Sequence, residues 1–281
     1  MVEAQTQPGG LSPGLASRLR LADGRRFFVK AVSEEANPDS PNIHRREAEI
    51  MAVLPPRVPA PRLLWTYDDG GWVALCFDDV DGRHPQEPWT GSDLARVVEA
   101  LKAMAVALTP SPIALEYTAS QAFTRGINGW RAARERKEDR IDDWCSSHLD
   151  LLVDLEALAP EAAAGRSLVH FDLRADNLLI AGDRVYVVDW PWARIGAAFV
   201  DWVAMAPSVT MQGGPAPEDF FRRFDVDDVA ASRVDAVLCS FAGFFVVRGL
   251  EPDPPGLPTL RAFQRAQGAV AVKWLRDRLA W

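Results

Sequence analysis

Cysteine is scarce. Cys76, Cys145 and Cys239 are odd in number and far apart in a chain of 281 residues. That argues against a disulfide framework and a thiolate metal cluster, and fits reduced core residues in a cytoplasmic protein. Long apolar runs are missing too. The greasiest stretch, Ala236 to Val247, holds Ser240 and Gly243. It is far short of the ~20 residues a bilayer span needs, so it reads as a buried helix and the chain as one that meets no membrane. No basic segment followed by an apolar run succeeds Met1, so no secretory signal is expected and the expected location is cytoplasmic. Positive charge is in deficit, 31 Lys and Arg against 39 Asp and Glu for a formal net charge of −8, which argues against non-specific nucleic-acid binding. An acidic surface suits a cationic substrate, but charge alone selects no partner. Lysine is limited to Lys30, Lys102, Lys137 and Lys273, so a lysine inside an apolar strand stands out.

What is present reads as an ordinary globular protein, 48% apolar and 25% charged, long enough for one large domain or two lobes. Residues 1 to about 8 read as a disordered polar terminus, followed by a turn-rich loop from Gly9 to Gly14. Ser17–Leu21 alternates like a half-buried strand, Asp23-Gly24 signals a hairpin turn, and Arg26–Val32 returns. Ile43, Glu47, Ile50, Met51 and Leu54 share one helical face, and Pro55-Pro56 ends that helix. Arg62–Tyr67 and Trp72–Phe77 read as two more antiparallel strands. Helical pattern then dominates over Ser92–Leu108, Phe123–Glu138, Ile141–Leu158 and the C-terminal stretch, interrupted by short strands at Asn177–Ile180 and Arg184–Val188. The expectation is an α+β fold with a small β-rich lobe over 1–81 and a larger helical lobe over 82–281.

The chemistry-bearing segment is Leu168-Val169-His170-Phe171-Asp172-Leu173-Arg174-Ala175-Asp176-Asn177, continued by a hairpin to Val188-Asp189-Trp190. A polar loop carries His, Asp and Asn, and the apolar hairpin presents a second Asp at its far end. Such a hairpin would hold Asp172, Asn177 and Asp189 around one small volume. Two carboxylates and an amide oxygen suit a hard divalent cation that keeps waters and phosphate oxygens as its other ligands. No cysteine cluster or repeated histidine spacing accompanies them, so zinc is not expected.

His170 to Asn177 resembles the catalytic loop H-x-D-x-x-x-x-N shared by protein kinases and the aminoglycoside phosphotransferase-like family, and Val188-Asp189-Trp190 resembles that family's metal-binding Asp-Trp. A lone H-x-D is weak. The loop, hairpin and terminal Asp-Trp together are specific, and the resemblance runs from the strand bearing Lys30 to the helix after Asp201. It implies a bilobal protein-kinase-like fold and a small-molecule O-phosphotransferase using ATP or GTP with Mg²⁺. By that resemblance Asp172 positions the acceptor hydroxyl, Arg174 stands where protein kinases have the catalytic-loop lysine and meets the γ-phosphoryl group, and Asn177 and Asp189 hold Mg²⁺. His170 and Asp201 are then scaffold residues of the loop, and Asp176 is a local cap or solvent-facing residue.

Lys30, within Phe27-Phe28-Val29-Lys30-Ala31-Val32, reads in isolation as a snorkelling edge residue. The family's lysine instead pairs with a helix glutamate and holds the α- and β-phosphates. Of the two candidates, Glu47 shares the apolar face whereas Glu49 points away, and a carboxylate on a buried face needs a cation. The resemblance also places the Gly9–Gly14 loop over the phosphates, although G-x-G-x-x-G is missing, and backbone groups of Asp78 and Val80 against the purine base. Trp190 or Trp192 could line an acceptor pocket. Asp142 and Asp143 could meet substrate amines or form a solvated helix start.

Four functions compete. The first is phosphorylation of a small hydroxylated acceptor, an aminoglycoside or other antibiotic, or alternatively a primary metabolite such as a sugar or amino alcohol. A protein kinase would need an A-P-E-like element and a longer stretch between Asp189 and Asp201. A non-catalytic nucleotide-binding protein of kinase shape would not need every polar residue of the chemistry. A metal-dependent hydrolase using His170, Asp172 and Asp189 would need a further ligand cluster.

Overall fold

The computed structural model describes residues 1–7 and 14–280, so the Gly9–Pro13 part of the expected phosphate-covering loop lies outside the described residues, as does Trp281. The chain forms two compact units, one of residues 1–85, 175–192 and 254–258, the other of residues 86–174, 193–253 and 259–281.

The first unit is built on a five-stranded antiparallel sheet. Its strands are β1 (Glu3–Thr6), β2 (Leu15–Arg20) and β3 (Arg26–Ser33), then, after helix α1 (Ser40–Val53), β4 (Leu63–Asp68) and β5 (Trp72–Asp78). The spatial order is β1-β2-β3-β5-β4. The N-terminal residues are therefore not a disordered tail. Glu3–Thr6 pairs with Arg20–Ser17 as an exposed edge strand. Its polar composition hid this, because main-chain bonding to β2, and not side-chain burial, holds it. Asp23-Gly24 makes the tight turn, with Gly24 at φ 87°, a left-handed conformation that glycine adopts without cost. Helix α1 covers one sheet face, burying Ile50 and Met51 with Val32, Val73 and Leu75. The same unit contains the hairpin β7 (Leu178–Ala181) and β8 (Arg184–Val187), entered through a 3₁₀ turn at Ala175–Asn177. It is tied to the rest of the unit by the Arg83–Ile180 bridge and by a Val187 N–H to Pro59 carbonyl bond of 2.7 Å.

The second unit is helical. Its elements are α2 (Gly91–Ala107), α3 (Ala119–Arg125), α4 (Gly129–Arg136), α5 (Asp143–Ser147), α6 (Leu149–Glu156) and α7 (Ala159–Ala162), then β6 (Ser167–Val169), β9 (Arg194–Gly196), α8 (Phe199–Met211), α9 (Pro217–Phe221), α10 (Ala231–Gly249) and α11 (Leu260–Leu279). The short β6–β9 pair joins the segment before His170 to the segment after Ala193 and escapes a sequence reading because each strand is three residues long. The apolar run from Ala236 forms most of α10, buried as expected. No helix among the described residues is long and apolar enough to cross a membrane.

The single helix expected over Phe123–Glu138 is two helices, and the break has a physical cause. Gly129 begins α4 directly against α10, so close that a Cβ there would lie 2.0 Å from the Gly243 carbonyl oxygen. Buried Glu156 accepts the exposed N–H groups of Trp130 and Arg131 at 3.0 and 2.9 Å, and Trp130 donates to the Cys239 carbonyl at 2.8 Å. These bonds replace the helical ones lost at the break. Gly129→Ala forces the helices apart, and we expect it to cost about 1–3 kcal/mol by overpacking, read as a lowered denaturation midpoint. The helix expected over Ile141–Leu158 likewise divides at His148, with Asp142 capping α5 through the Cys145 N–H at 2.8 Å.

Candidate active site

Three of the residues singled out in the sequence meet in the first unit. Lys30 points from the centre of β3 to the α1-covered face. Its ammonium lies 2.6 Å from the Glu47 carboxylate and 2.5 Å from that of Asp189, with the Phe77 ring 5.7 Å away. Glu47 is buried, as its place on the apolar face of α1 requires, whereas Glu49 is exposed. Burial pushes the Glu47 carboxyl above the usual carboxylate range, and the Lys30 ammonium opposes that shift. Burial would depress Lys30, but the Asp189 and Glu47 charges outweigh it and hold the ammonium above its ordinary value. Lys30 therefore stays charged.

Asp189 reaches Lys30 because the hairpin ends there. The Asn177 carbonyl accepts the Val188 N–H at 3.0 Å, so the residues flanking β7 and β8 are held opposite one another. Asp189 then turns into the left-handed region at φ 68°, a conformation that is uncommon for a non-glycine residue. The Asp189 side chain is 43% exposed, and Asn177 is buried. Trp190 is fully buried and donates its indole N–H to the Val187 carbonyl at 2.9 Å. It is a core residue, which rules it out as an acceptor-lining side chain. Trp192 is half-exposed, with the Arg46 guanidinium 6.0 Å from its ring.

Asp172 and Arg174 belong to the second unit and form an ion pair, with the Arg174 Nη1 2.9 and 3.2 Å from the two Asp172 oxygens. Arg174 also lies over Phe263 of α11 at 5.5 Å. The loop that carries them is pinned from below. The buried Asp201 carboxylate, in the first turn of α8, accepts the N–H of Phe171 at 2.7 Å and of His170 at 2.8 Å. Phe171 is held at φ 70° with its ring packed edge-on to Phe123. His170 is fully buried, and its Nδ1 takes the Asp172 N–H at 3.3 Å. Two main-chain bonds to one buried carboxylate hold an otherwise unfavourable backbone, and so set the direction of Asp172.

Burial pushes the Asp201 carboxyl up to about 7, the two N–H donors opposing and the Asp172 charge adding. Because the folded chain then binds a proton more tightly than the unfolded one, this group's contribution is present below pH ~4 and is lost as pH rises toward 7. Asp201→Asn should remove that slope from a plot of denaturation midpoint against pH. An unchanged slope would place its origin elsewhere.

Asp78 and Val80, expected against a purine base, carry other bonds. The Asp78 N–H donates to the Arg62 carbonyl at 3.0 Å, and the Val80 carbonyl accepts from Arg18 at 3.1 Å and from the Gly82 N–H at 2.8 Å. That leaves the Asp78 carbonyl and Val80 N–H to carry the expectation. Asp142 and Asp143 start α5 as its cap and first turn. His44 escaped the sequence reading. It sits one turn before Glu47, buried, with Nδ1 3.1 Å from the Ser40 carbonyl. Burial and the nearby Lys30 charge depress it to about 4, so it adds no charge. The signal was its i, i+3 spacing to Glu47.

No curated protein matches the sequence. The sequence profile of the phosphotransferase enzyme family matches residues 11–233. Among solved structures, a complex of a thermostable mutant of aminoglycoside phosphotransferase APH(4)-Ia with ADP and hygromycin B superposes with a TM-score of 0.67 at 16% identity, covering 97% of this chain and 94% of that one. Amicoumacin kinase hAmiN with AMP-PNP, Ca²⁺ and Ami gives 0.58 at 12% identity over 98% and 88%. Aminoglycoside-3′-phosphotransferase of type VIII gives 0.58 at 20% over 86% and 93%. At these identities the superpositions speak for the fold alone, which is kinase-like, and the profile speaks for descent: the chain belongs to the phosphotransferase enzyme family.

Proposed function

We propose that the protein transfers the γ-phosphate of ATP or GTP, with Mg²⁺, to a hydroxyl of a small molecule. The observation that carries this is the buried Lys30, charged and shared between Glu47 and Asp189 at 2.5–2.7 Å. A cation needs no two carboxylates to stay folded. One, Glu47, is buried and fixed, while the other is half in solvent and can be given up. Lys30, oriented by Glu47, then meets the α- and β-phosphates, and Asp78 and Val80 meet the base through backbone groups.

The donor set fits magnesium. Among the described residues no cluster of three or more His, Cys, Asp or Glu side chains could hold a metal ion. Mg²⁺ instead takes one or two protein oxygens and completes its shell with phosphates and water. Asp189 and Asn177 offer a carboxylate and an amide oxygen at adjoining ends of the hairpin. Bound there, the ion would neutralise phosphate charge. Asp172 receives the acceptor hydroxyl and orients it for in-line attack. In a loose transition state little base strength is asked of it, and position supplies the catalysis. Arg174, paired with Asp172, would meet the transferred phosphoryl group.

The family's structures with hygromycin B and amicoumacin support an antibiotic acceptor, and an aminoglycoside is the first class to try. One observation favours a less cationic acceptor, such as a sugar or an amino alcohol. The group paired with Asp172 is itself a guanidinium, which disfavours dense positive charge beside it. A coupled nucleotide-turnover screen with aminoglycosides, other hydroxylated antibiotics, sugars and amino alcohols tests both. Acceptor-dependent turnover supports the reading, and Mg-nucleotide binding with no turnover on any acceptor class would favour a non-catalytic nucleotide-binding protein.

A further inference from the structure

Four polar side chains recur at spacings of three, four and three residues at the start of α1. They are Asn37, Ser40, His44 and Glu47, only 6, 4, 5 and 2% exposed. That spacing puts them on one side of the helix, the side that brings Glu47 to Lys30. A covered polar row costs stability unless its members are bonded, and this one is bonded along its length. The Asn37 Oδ1 accepts the N–H groups of Asp39 and Ser40 at 3.0 and 3.1 Å, and the Ser40 hydroxyl at 3.1 Å. It thereby caps α1 from outside, since Asp39 at the cap position makes no side-chain bond to the helix. The Ser40 carbonyl takes His44 Nδ1 at 3.1 Å. A carbonyl only accepts, so Nδ1 carries the proton. One turn on, Glu47 accepts from Lys30 and from the Trp190 N–H.

The other end of the row leaves the helix. Two backbone N–H donors fix which end of the Asn37 amide is oxygen. Its Nδ2 then donates to the Pro255 carbonyl at 3.1 Å, 218 residues along the chain. Pro255 lies in the turn Pro254-Pro255-Gly256-Leu257, which the Leu257 N–H closes on the Pro254 carbonyl at 3.1 Å. The turn's own bond therefore uses a different carbonyl, and two prolines with fixed φ make it a stiff anchor. Residues 254–258 belong to the sheet-bearing unit, although the chain before and after them builds α10 and α11 of the other. On the reading of Lys30 as the phosphate-holding cation, on which this rests, we infer that Asn37 is a positioning residue of the nucleotide site. Its bond to the Pro255 turn sets where α1 stands, and so where Glu47 holds Lys30. The second half of α1 leans on the sheet through Ile50 and Met51, and such apolar contact is non-directional. The bonded row at its first half supplies the direction.

Asn37→Asp separates the two ends of this side chain. A carboxylate still accepts from Asp39 and Ser40, but it sets an oxygen against the Pro255 carbonyl where Nδ2–H stood. Affinity for Mg²⁺ with non-hydrolysable analogues of ATP and GTP, by titration calorimetry, should fall ~5-fold, about what one hydrogen bond contributes. In a Glu47→Gln background the same substitution should weaken binding no further, because the residue it acts through is already altered. Lys30 also reports without nucleotide. The chain has only Lys102, Lys137 and Lys273 besides it, so labelling by an amine-reactive reagent, read by peptide mass spectrometry, is referenced internally. Relative to those three, Lys30 should label ~5-fold faster in Asn37→Asp, as the same lost bond loosens its carboxylate. Asn37→Ser keeps an acceptor for the start of α1, is too short to reach the turn, and should behave alike. Circular dichroism confirms that each variant is folded. Wild-type labelling of Lys30 in the folded variants would overturn the proposal, as would an affinity loss that persists undiminished beside Glu47→Gln. A wild type that binds neither nucleotide would overturn the proposed function instead, while the labelling still decides the positioning.

Discussion

Asp172→Ala should lower phosphate transfer by ~10²-fold or more while leaving nucleotide affinity within a few-fold of wild type. The separation follows from the two proposed roles. The nucleotide is proposed to be held by Lys30, Glu47 and Asp189, and Asp172 to meet the acceptor hydroxyl. Its own setting is the loop pinned by Asp201 through Phe171 and His170, which the substitution leaves intact. Its carboxylate pairs with Arg174, whose guanidinium keeps the Phe263 ring beside it when the carboxylate is removed. The variant should therefore fold. Isothermal titration with a non-hydrolysable nucleotide and a coupled turnover assay give the two readouts. If turnover survives, the acceptor hydroxyl is oriented by another group and the proposed role of Asp172 fails. Asp172→Asn sharpens the test: it keeps the shape and hydrogen-bonding capacity but not the charge, so activity restored by Asn would mean that position alone is needed.

The parts of this site that a sequence can express are the ones set by short-range pattern. Glu47 could be chosen over Glu49 because a helix repeats every 3.6 residues and only one of them shares the face of Ile50 and Met51. Asn177 and Asp189 could be brought to one place because a two-residue turn between Ala181 and Arg184 fixes the register of β7 and β8. Lys30 was legible only with both a strand and the helix after it. What escaped depends on contacts far apart in sequence. The helix break before Gly129 is imposed by α10, more than a hundred residues on. Among the described residues β1 pairs with β2 alone. The left-handed backbones at Phe171 and Asp189 carry no residue signature, since neither is glycine. His44 was hidden among polar neighbours in a segment whose inward face is defined by the partner it packs on. The Val80 carbonyl is held by Arg18, over sixty residues earlier, a bond that no local pattern announces.

Asp189→Ala should abolish the dependence of nucleotide affinity on magnesium while leaving the fold close to wild type. Its carboxylate is one of two on Lys30, but the two are not equivalent. Glu47 is almost fully buried and Asp189 is half exposed. Removing the exposed partner leaves the Lys30–Glu47 pair at 2.6 Å, and the lost contact is worth about 0–1 kcal/mol. Removing the shared cation instead, as Lys30→Ala does, strands Glu47 in the interior and should cost about 3–5 kcal/mol unless the carboxyl takes up a proton. The order of denaturation midpoints is thus wild type, then Asp189→Ala close below, then Lys30→Ala well below. For the wild type, nucleotide affinity measured with Mg²⁺ should exceed that measured in chelator by ~10-fold or more, since phosphate charge without a counterion meets the Asp189 and Glu47 carboxylates. In Asp189→Ala the two affinities should converge, because the protein oxygen that fixes the ion is gone while Lys30, now bound only to Glu47, still faces the phosphates. Convergence together with a near-native midpoint would separate a metal-holding role from a structural one. An Asp189→Ala protein that still binds nucleotide more tightly with Mg²⁺, to the wild-type extent, would remove Asp189 from the metal site and with it the reading of the hairpin as a device that presents oxygen ligands.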